Sequence, residues 1–157
     1  YSRGIVHHHF GSKAQLLAEL IKYTQTFDVP ADSATGLSRL TDFVAAYLGG
    51  MHERSPRSEA FLKLWTESAG AEASLAQLFV ERDAQFREVL AQNIIEGVTD
   101  GSVRSDVDPQ TAAVAIIGLL RGTALMAFFS TARDMPAGGD LAAIAAQGVE
   151  RSLAAAG

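Results

Sequence analysis

The 157-residue chain has no cysteine, only four prolines and an aromatic fraction of 8%. Without thiols, disulfide frameworks, thiolate zinc sites and cysteine nucleophiles are excluded, and the composition suits a reducing cytoplasm. The prolines, at 30, 56, 109 and 136, sit beside polar or glycine-containing punctuation, so they mark boundaries between segments rather than kinks within them. The first residues lack a basic start followed by an apolar run and are not expected to form a signal peptide. Fourteen glycines and four prolines beside a 48% hydrophobic fraction do not make a disordered or collagen-like chain. At this length a single domain buries close to about 70% of its unfolded surface, so a core forms without staples. The sequence opens on Tyr1 in what reads as the middle of an element, so a missing N-terminal piece is expected.

Negative charge predominates, with 18 acidic against 13 basic residues and a net charge of -5. The distribution is uneven. Residues 1–27 carry Arg3, Lys13 and Lys22 against Glu19 alone, a surplus of +2, which leaves -7 for the rest. The front is therefore where a polyanion would be met.

Apolar periodicity reads as helix throughout, so the fold class is all-α. Ser12 caps a segment over Lys13–Phe27 whose broad apolar face holds Leu16, Leu17, Leu20, Ile21 and Tyr23. After a loop, Leu37, Leu40, Val44, Leu48 and Met51 recur at helical spacing, widened by Phe43 and Tyr47, up to a break at 54–56. A short helix carries Phe61, Leu62, Leu64 and Trp65 and ends near Gly70. A long one follows, with Leu75, Leu78, Phe79, Phe86, Val89, Leu90, Ile94 and Val98 on one face. Glu81, Asp83, Gln85, Glu88, Gln92 and Glu96 are expected elsewhere on it, and Asp100-Gly101 stops it. Asp108 and Pro109 have the arrangement of an N-cap and first helical residue.

From Gln110 to Ala132 the only charge is Arg121. A membrane span is weighed here, since roughly 20 apolar residues suffice. A central Arg, abundant Ala and Gly, and the lack of an aromatic belt or basic flank favour a helix buried on most sides in protein. The last segment, Asp140–Ala156, has a narrow stripe of small and medium residues. Gly118 and Gly122, and Ala145 and Gly148, allow close backbone approach. Pairing both helices against a symmetry mate gives a homodimer through a four-helix bundle. Its seam is expected from Gly118, Arg121, Gly122, Leu125, Leu141, Ile144, Ala145, Gly148, Val149 and Leu153. An intramolecular hairpin of the two helices is the alternative.

Tyr1 to Leu17 admits three readings: an affinity-tag remnant, a metal site, or a short helix opened by Ser2 and followed by a Gly11 turn and a new helix capped by Ser12. Three histidines are few for a tag. Consecutive helical residues diverge by about 100° and cannot converge on one ion, so no metal is expected. The third reading has the layout of a recognition helix handing over to a linker. Ser2, Gly4, Val6-His7-His8-His9-Phe10, Ser12-Lys13 and Leu16-Leu17 together resemble the TetR family of bacterial transcriptional regulators. A second stretch is similar to the family's loop into its penultimate, dimer-forming helix: Gly97 through Gly101, Val103 through Pro109, Ala112-Ala113 and Leu120-Arg121-Gly122.

The resemblance implies that residues 1–11 are the tail of a helix-turn-helix domain and 12–157 a ligand-binding and dimerisation domain. It implies operator DNA as a partner, met by Tyr1, Ser2, Arg3, Gly4, His7, His8 and Lys13, with His7 where the family usually has a phosphate-contacting Tyr. It also implies a small organic effector, in a cavity lined by Phe43, Tyr47, Met51, Phe61, Trp65, Phe79, Arg82, Phe86, Asn93, Met126 and Phe129. Most of these residue types fill ordinary cores as well. Arg82 and Asn93 discriminate better, because a buried polar group must find a partner. For Arg82 that partner is either Glu67 or Glu88, or an anionic ligand. No Gly-rich phosphate loop, Glu-x-x-His pair or serine elbow assembles catalytic roles, so no enzyme and no cofactor are expected. A helical carrier or enzyme without DNA binding is the alternative function.

Overall fold

The computed structural model describes residues 33–68, 73–130 and 138–155. They form five α-helices: α1 Gly36–His52, α2 Pro56–Ser68, α3 Ala73–Asp100, α4 Pro109–Phe129 and α5 Gly138–Leu153. The all-α class is as the periodicity predicts. Residues 1–27, where the recognition-helix tail and the linker are expected, lie outside the described residues.

Each helix begins for a local reason. At α1, Thr35 is extended (φ -130°, ψ 162°) and its side chain accepts from the Ser38 amide, while the Ser38 hydroxyl accepts from the Thr35 amide, a capping box. At α2, Pro56 is the first residue and the Ser55 hydroxyl accepts from the Ser58 amide at 3.1 Å. At α4, the Asp108 carboxylate accepts from the Thr111 amide at 2.8 Å, with Pro109 in the first turn. Arg54 at φ 50° ends the run behind α1, and Gly101 at φ 81° ends α3, the latter in a left-handed conformation that glycine adopts without penalty.

Helix α1 is the hub, packed chiefly on α5 and α3 and touching α4 and α2; α3 also packs along α4. Its buried stripe is Leu37, Leu40, Val44, Tyr47, Leu48 and Met51. Facing stripes come from Leu90, Ala91 and Ile94 of α3, Ala113, Ile116, Leu120 and Ala124 of α4, and Ala142, Ala145, Val149 and Leu153 of α5. Fully burying a Leu, Val or Phe side chain stabilises by roughly 1.5–3 kcal/mol, so these stripes hold the bundle. Val89, expected on the buried face of α3, points outward.

One end is closed by a backbone clasp. The α1 and α3 helices cross at Gly36 and Gly97, where a Cβ on Gly36 would collide with the Gly97 amide nitrogen. Asp100 accepts from the Gly36 amide at 2.7 Å and Ser102 from the Leu37 amide at 3.2 Å, so the end of α3 satisfies the start of α1. The loop continues to the end of α5 through Arg104 N–H to Leu153 O at 2.9 Å and Ala155 N–H to Ser102 O at 3.1 Å.

Two features of the last helices follow from this packing. Helix α5 rests chiefly on α1 and α4 on α3, so the pair does not form the intramolecular hairpin. Nor is α4 buried on most sides within the chain: Val114, Leu119, Met126 and Phe129 are exposed opposite its inner stripe. Among the described residues α4 is the one helix long and apolar enough to cross a membrane by length and composition. Here it is a bundle helix whose single charge, Arg121, is ion-paired to Asp83 of α3.

Candidate functional site

Helices α1, α2, α3 and α4 bring together Tyr47, Phe61, Trp65, Phe79, Arg82, Asp83, Phe86 and Arg121. The spacing of α3 makes this possible. Phe79, Arg82 and Phe86 are three and four residues apart and share a face, while Asp83 is turned by about 100° from Arg82. Arg82 therefore faces α2, where its guanidinium carbon lies 4.3 Å from the Phe61 ring centre. Asp83 faces α4 and takes both terminal nitrogens of Arg121, one at 2.5 Å. The Arg121 guanidinium also stacks 4.8 Å from the Trp65 ring centre.

The rings form two groups. Phe61 and Phe79 have centroids 6.0 Å apart. Tyr47 and Phe86 are stacked at 6.0 Å, with Phe43 packed on both. Burial raises the Tyr47 hydroxyl's pKa above its ordinary value, against the opposing pull of the Arg121 and Arg82 charges.

Among the described residues the charges do not balance. Arg121 is neutralised by a two-point ion pair with Asp83, although its Nε has no hydrogen-bond partner among the described residues. Arg82 is 6% exposed, and its Nε and Nη1 have no hydrogen-bond partner there. Desolvation pulls its pKa below the ordinary value, but an arginine remains charged at any physiological pH. The ion pair expected with Glu67 or Glu88 does not form. Both glutamates are exposed, and Glu88 accepts from Gln110 of α4 at 3.4 Å. The Phe61 face supplies a partial counter-field and no hydrogen-bond acceptor of the kind an ion requires.

The expected lining residues separate. Phe43, Tyr47, Phe61, Trp65, Phe79, Arg82 and Phe86 are brought together, and Met51 is buried further along α1. Asn93 lies about 16 Å from Arg82 along α3 and donates to Val89 O of its own helix at 3.1 Å. It belongs to the crossing end. Met126 and Phe129 are 65% and 72% exposed, outside the cluster. A helix buried along one stripe cannot turn both faces of its last two turns inward.

The seam residues divide in the same way. Arg121, Ala145, Val149 and Leu153 point into the chain's own core, and Ile144, Gly118, Gly122 and Gly148 are exposed; Leu125 and Leu141 are half-buried. Arg121 turns inward because a guanidinium in an apolar setting is held best by a carboxylate, and Asp83 is within reach. Asp83, expected on the polar side of α3, was the residue missed. The isolated charge of Arg121 in an apolar helix was a signal that a buried partner existed. Tyr1, Ser2, Arg3, Gly4, His7, His8 and Lys13 lie outside the described residues, as does any reading of the DNA-facing tail. Among the described residues no group of His, Asp or Glu could hold a metal ion.

The family model described as BetI-type transcriptional repressor, C-terminal, matches residues 37–154. The chain belongs to that family, within the TetR-type regulators. Three solved structures share the fold. A TetR transcriptional regulator from Chloroflexus aurantiacus is 18% identical with a TM-score of 0.73, over 96% of this chain and 79% of that one. A TetR-family regulatory protein from Rhodococcus RHA1 is 20% identical with a TM-score of 0.62, over 99% and 82%. AibR, solved in complex with isovaleryl coenzyme A and operator DNA, is 18% identical with a TM-score of 0.65, over 94% and 78%. No curated protein sequence matches the chain.

Proposed function

We propose that this chain is the effector-binding and dimerising body of a ligand-responsive repressor, cytoplasmic and without catalytic activity, which releases operator DNA when a small amphipathic molecule binds. The observation that carries this reading is the aromatic cluster with charged groups where α1, α2, α3 and α4 converge. Such a site is mostly apolar with few directing groups, as small-molecule sites are. AibR, which shares the fold, was solved with an acyl coenzyme A and with operator DNA, and both classes of partner are proposed here. The DNA contacts are assigned to Tyr1, Ser2, Arg3, Gly4, His7, His8 and Lys13, completed by a headpiece that holds the recognition helix across the groove.

Homodimerisation is proposed through the outer faces of α4 and α5. Val114, Leu119, Met126, Phe129 and Ile144 are exposed apolar side chains on these helices. A side chain added at Gly118, Gly122 or Gly148 would meet nothing within 4 Å in the single chain, which leaves room for a second backbone to approach. Effector binding beside Asp83 and Arg121 would shift α3 against α4, and so alter the spacing of the two readers.

Full-length protein tests this. Sedimentation should give a dimer, and binding to its own upstream region should weaken steeply with salt and be relieved by an effector. A monomer without salt-sensitive DNA binding would leave the alternative of a helical small-molecule carrier. Gly122→Leu, harmless inside one chain, should raise the dimer dissociation constant by at least about tenfold through overpacking at the pair. An unchanged constant moves the interface elsewhere.

A further inference from the structure

We infer that the effector is an organic monoanion, a carboxylate attached to an apolar body, with the carboxylate on Arg82 and the body among Phe61, Phe79 and Phe86. The inference rests on the proposed effector site and specifies its chemistry. Three observations carry it. Arg82 is 94% buried by its 6% exposure, and two of its three nitrogens lack a partner among the described residues. Its neighbour charges cancel each other, because Asp83 is committed to both terminal nitrogens of Arg121. The surfaces around Arg82 are rings, with Phe61 beneath the guanidinium and Phe79 and Phe86 one turn to either side on α3.

The charge count selects the ligand class. Among the described residues Arg82 has no ion-pair partner, so a cation would add to its buried positive charge and a neutral molecule would leave that charge unmatched. A phosphate dianion would leave one negative charge over, since Arg121 is already paired. One carboxylate restores neutrality and accepts a charge-assisted hydrogen bond from the guanidinium. The aromatic walls require the remainder of the molecule to be apolar.

The test uses the full-length protein and three probes of equal chain length: octanoate, octanol and octylammonium. Thermal unfolding and calorimetry should show millimolar octanoate stabilising the protein, with octanol and octylammonium doing so weakly or not at all. Arg82→Met, which keeps the volume and removes the charge, should weaken octanoate binding roughly tenfold to a hundredfold, the range lost with a charge-assisted hydrogen bond. It should also raise the melting temperature of the ligand-free protein, whereas removal of a satisfied structural arginine would lower it. Arg82→Lys should retain part of the octanoate binding.

Equal binding of octylammonium or octanol, octanoate binding unchanged in Arg82→Met, or a lowered ligand-free melting temperature in that variant would each overturn the inference. So would the absence of stabilisation by every member of a carboxylate panel running from acetate to dodecanoate and including benzoate and phenylacetate. The two readings fail separately. Carboxylate binding without any operator binding removes the repressor and keeps the site, while release from operator by a neutral or cationic compound keeps the repressor and removes the carboxylate.

Discussion

The two ends of α3 handle buried polarity in opposite ways. At its C-terminal end, where α3 crosses α1, the helix start and the loop satisfy one another. Thr35 and Ser38 exchange hydrogen bonds, Asp100 and Ser102 take the first two amides of α1, and Val103 N–H reaches Gly97 O at 2.9 Å. Eighteen residues back, Arg82 is buried with its Nε and Nη1 lacking a hydrogen-bond partner among the described residues. An unpartnered ion costs far more than an unpartnered amide, so the second end bears a penalty that, among the described residues, the Phe61 face offsets only in part. The satisfied end is what a clasp looks like, and the unsatisfied one is where the proposed effector is placed.

Breaking the clasp should cost most. Gly36→Ala puts a Cβ against the Gly97 backbone, which cannot step aside as a side chain could. A loss of about 3 kcal/mol is expected, at the upper end for overpacking, measured by the urea midpoint at unchanged slope. A wild-type midpoint would mean the helices do not cross at these glycines.

At the other end, Asp83→Ala leaves Arg121 as a second uncompensated cation beside Arg82. Because the Asp83 side chain is 33% exposed while that of Arg121 is 7% exposed, the loss should be about 2–3 kcal/mol rather than the full cost of a buried pair. Arg121→Met in the same chain should recover most of it. If the double variant is no better than Asp83→Ala, the pair is not the neutral unit that isolates Arg82.

The smallest effect is a change in pH dependence. Hydrogen bonds from Ser102, then the Gly36 amide, hold the Asp100 carboxyl below its ordinary pKa. A depressed carboxyl pKa contributes stability that is fully present above the unfolded-chain value and lost as pH falls through the native one. The wild-type unfolding midpoint should therefore decline below the ordinary carboxylate range, and Asp100→Asn should flatten that part of the curve. Parallel curves would assign the acid sensitivity to other groups, Asp108 among them, whose carboxyl is held low by the Thr111 hydroxyl and amide.

Much of this was legible in the sequence because it is local. The stripe from Leu37 to Met51, the Asp108-Pro109 start and the Asp100-Gly101 stop depend on residues within a turn or two of one another. The aromatic half of the candidate site followed for the same reason, since Phe79, Arg82 and Phe86 share a face at any helical spacing. The Asp83–Arg121 pair was not legible, because it joins residues 38 apart and exists only once α3 lies on α4. The outward turn of Met126 and Phe129 likewise depends on which stripe of α4 meets its neighbours. Gly36 against Gly97 gave no sequence signal, since any glycine in a helix looks like a weak point until another backbone is seen to need its space.

The absence of cysteine and the scarcity of proline left a chain that had to be held by helix packing alone, and its apolar period set an all-α bundle with named starts and stops. Which charges would be neutralised was decided in three dimensions. Periodicity places a side chain on a face, but only the packing of a second helix on that face determines whether a counter-charge arrives. Among the described residues Arg121 received one and Arg82 did not.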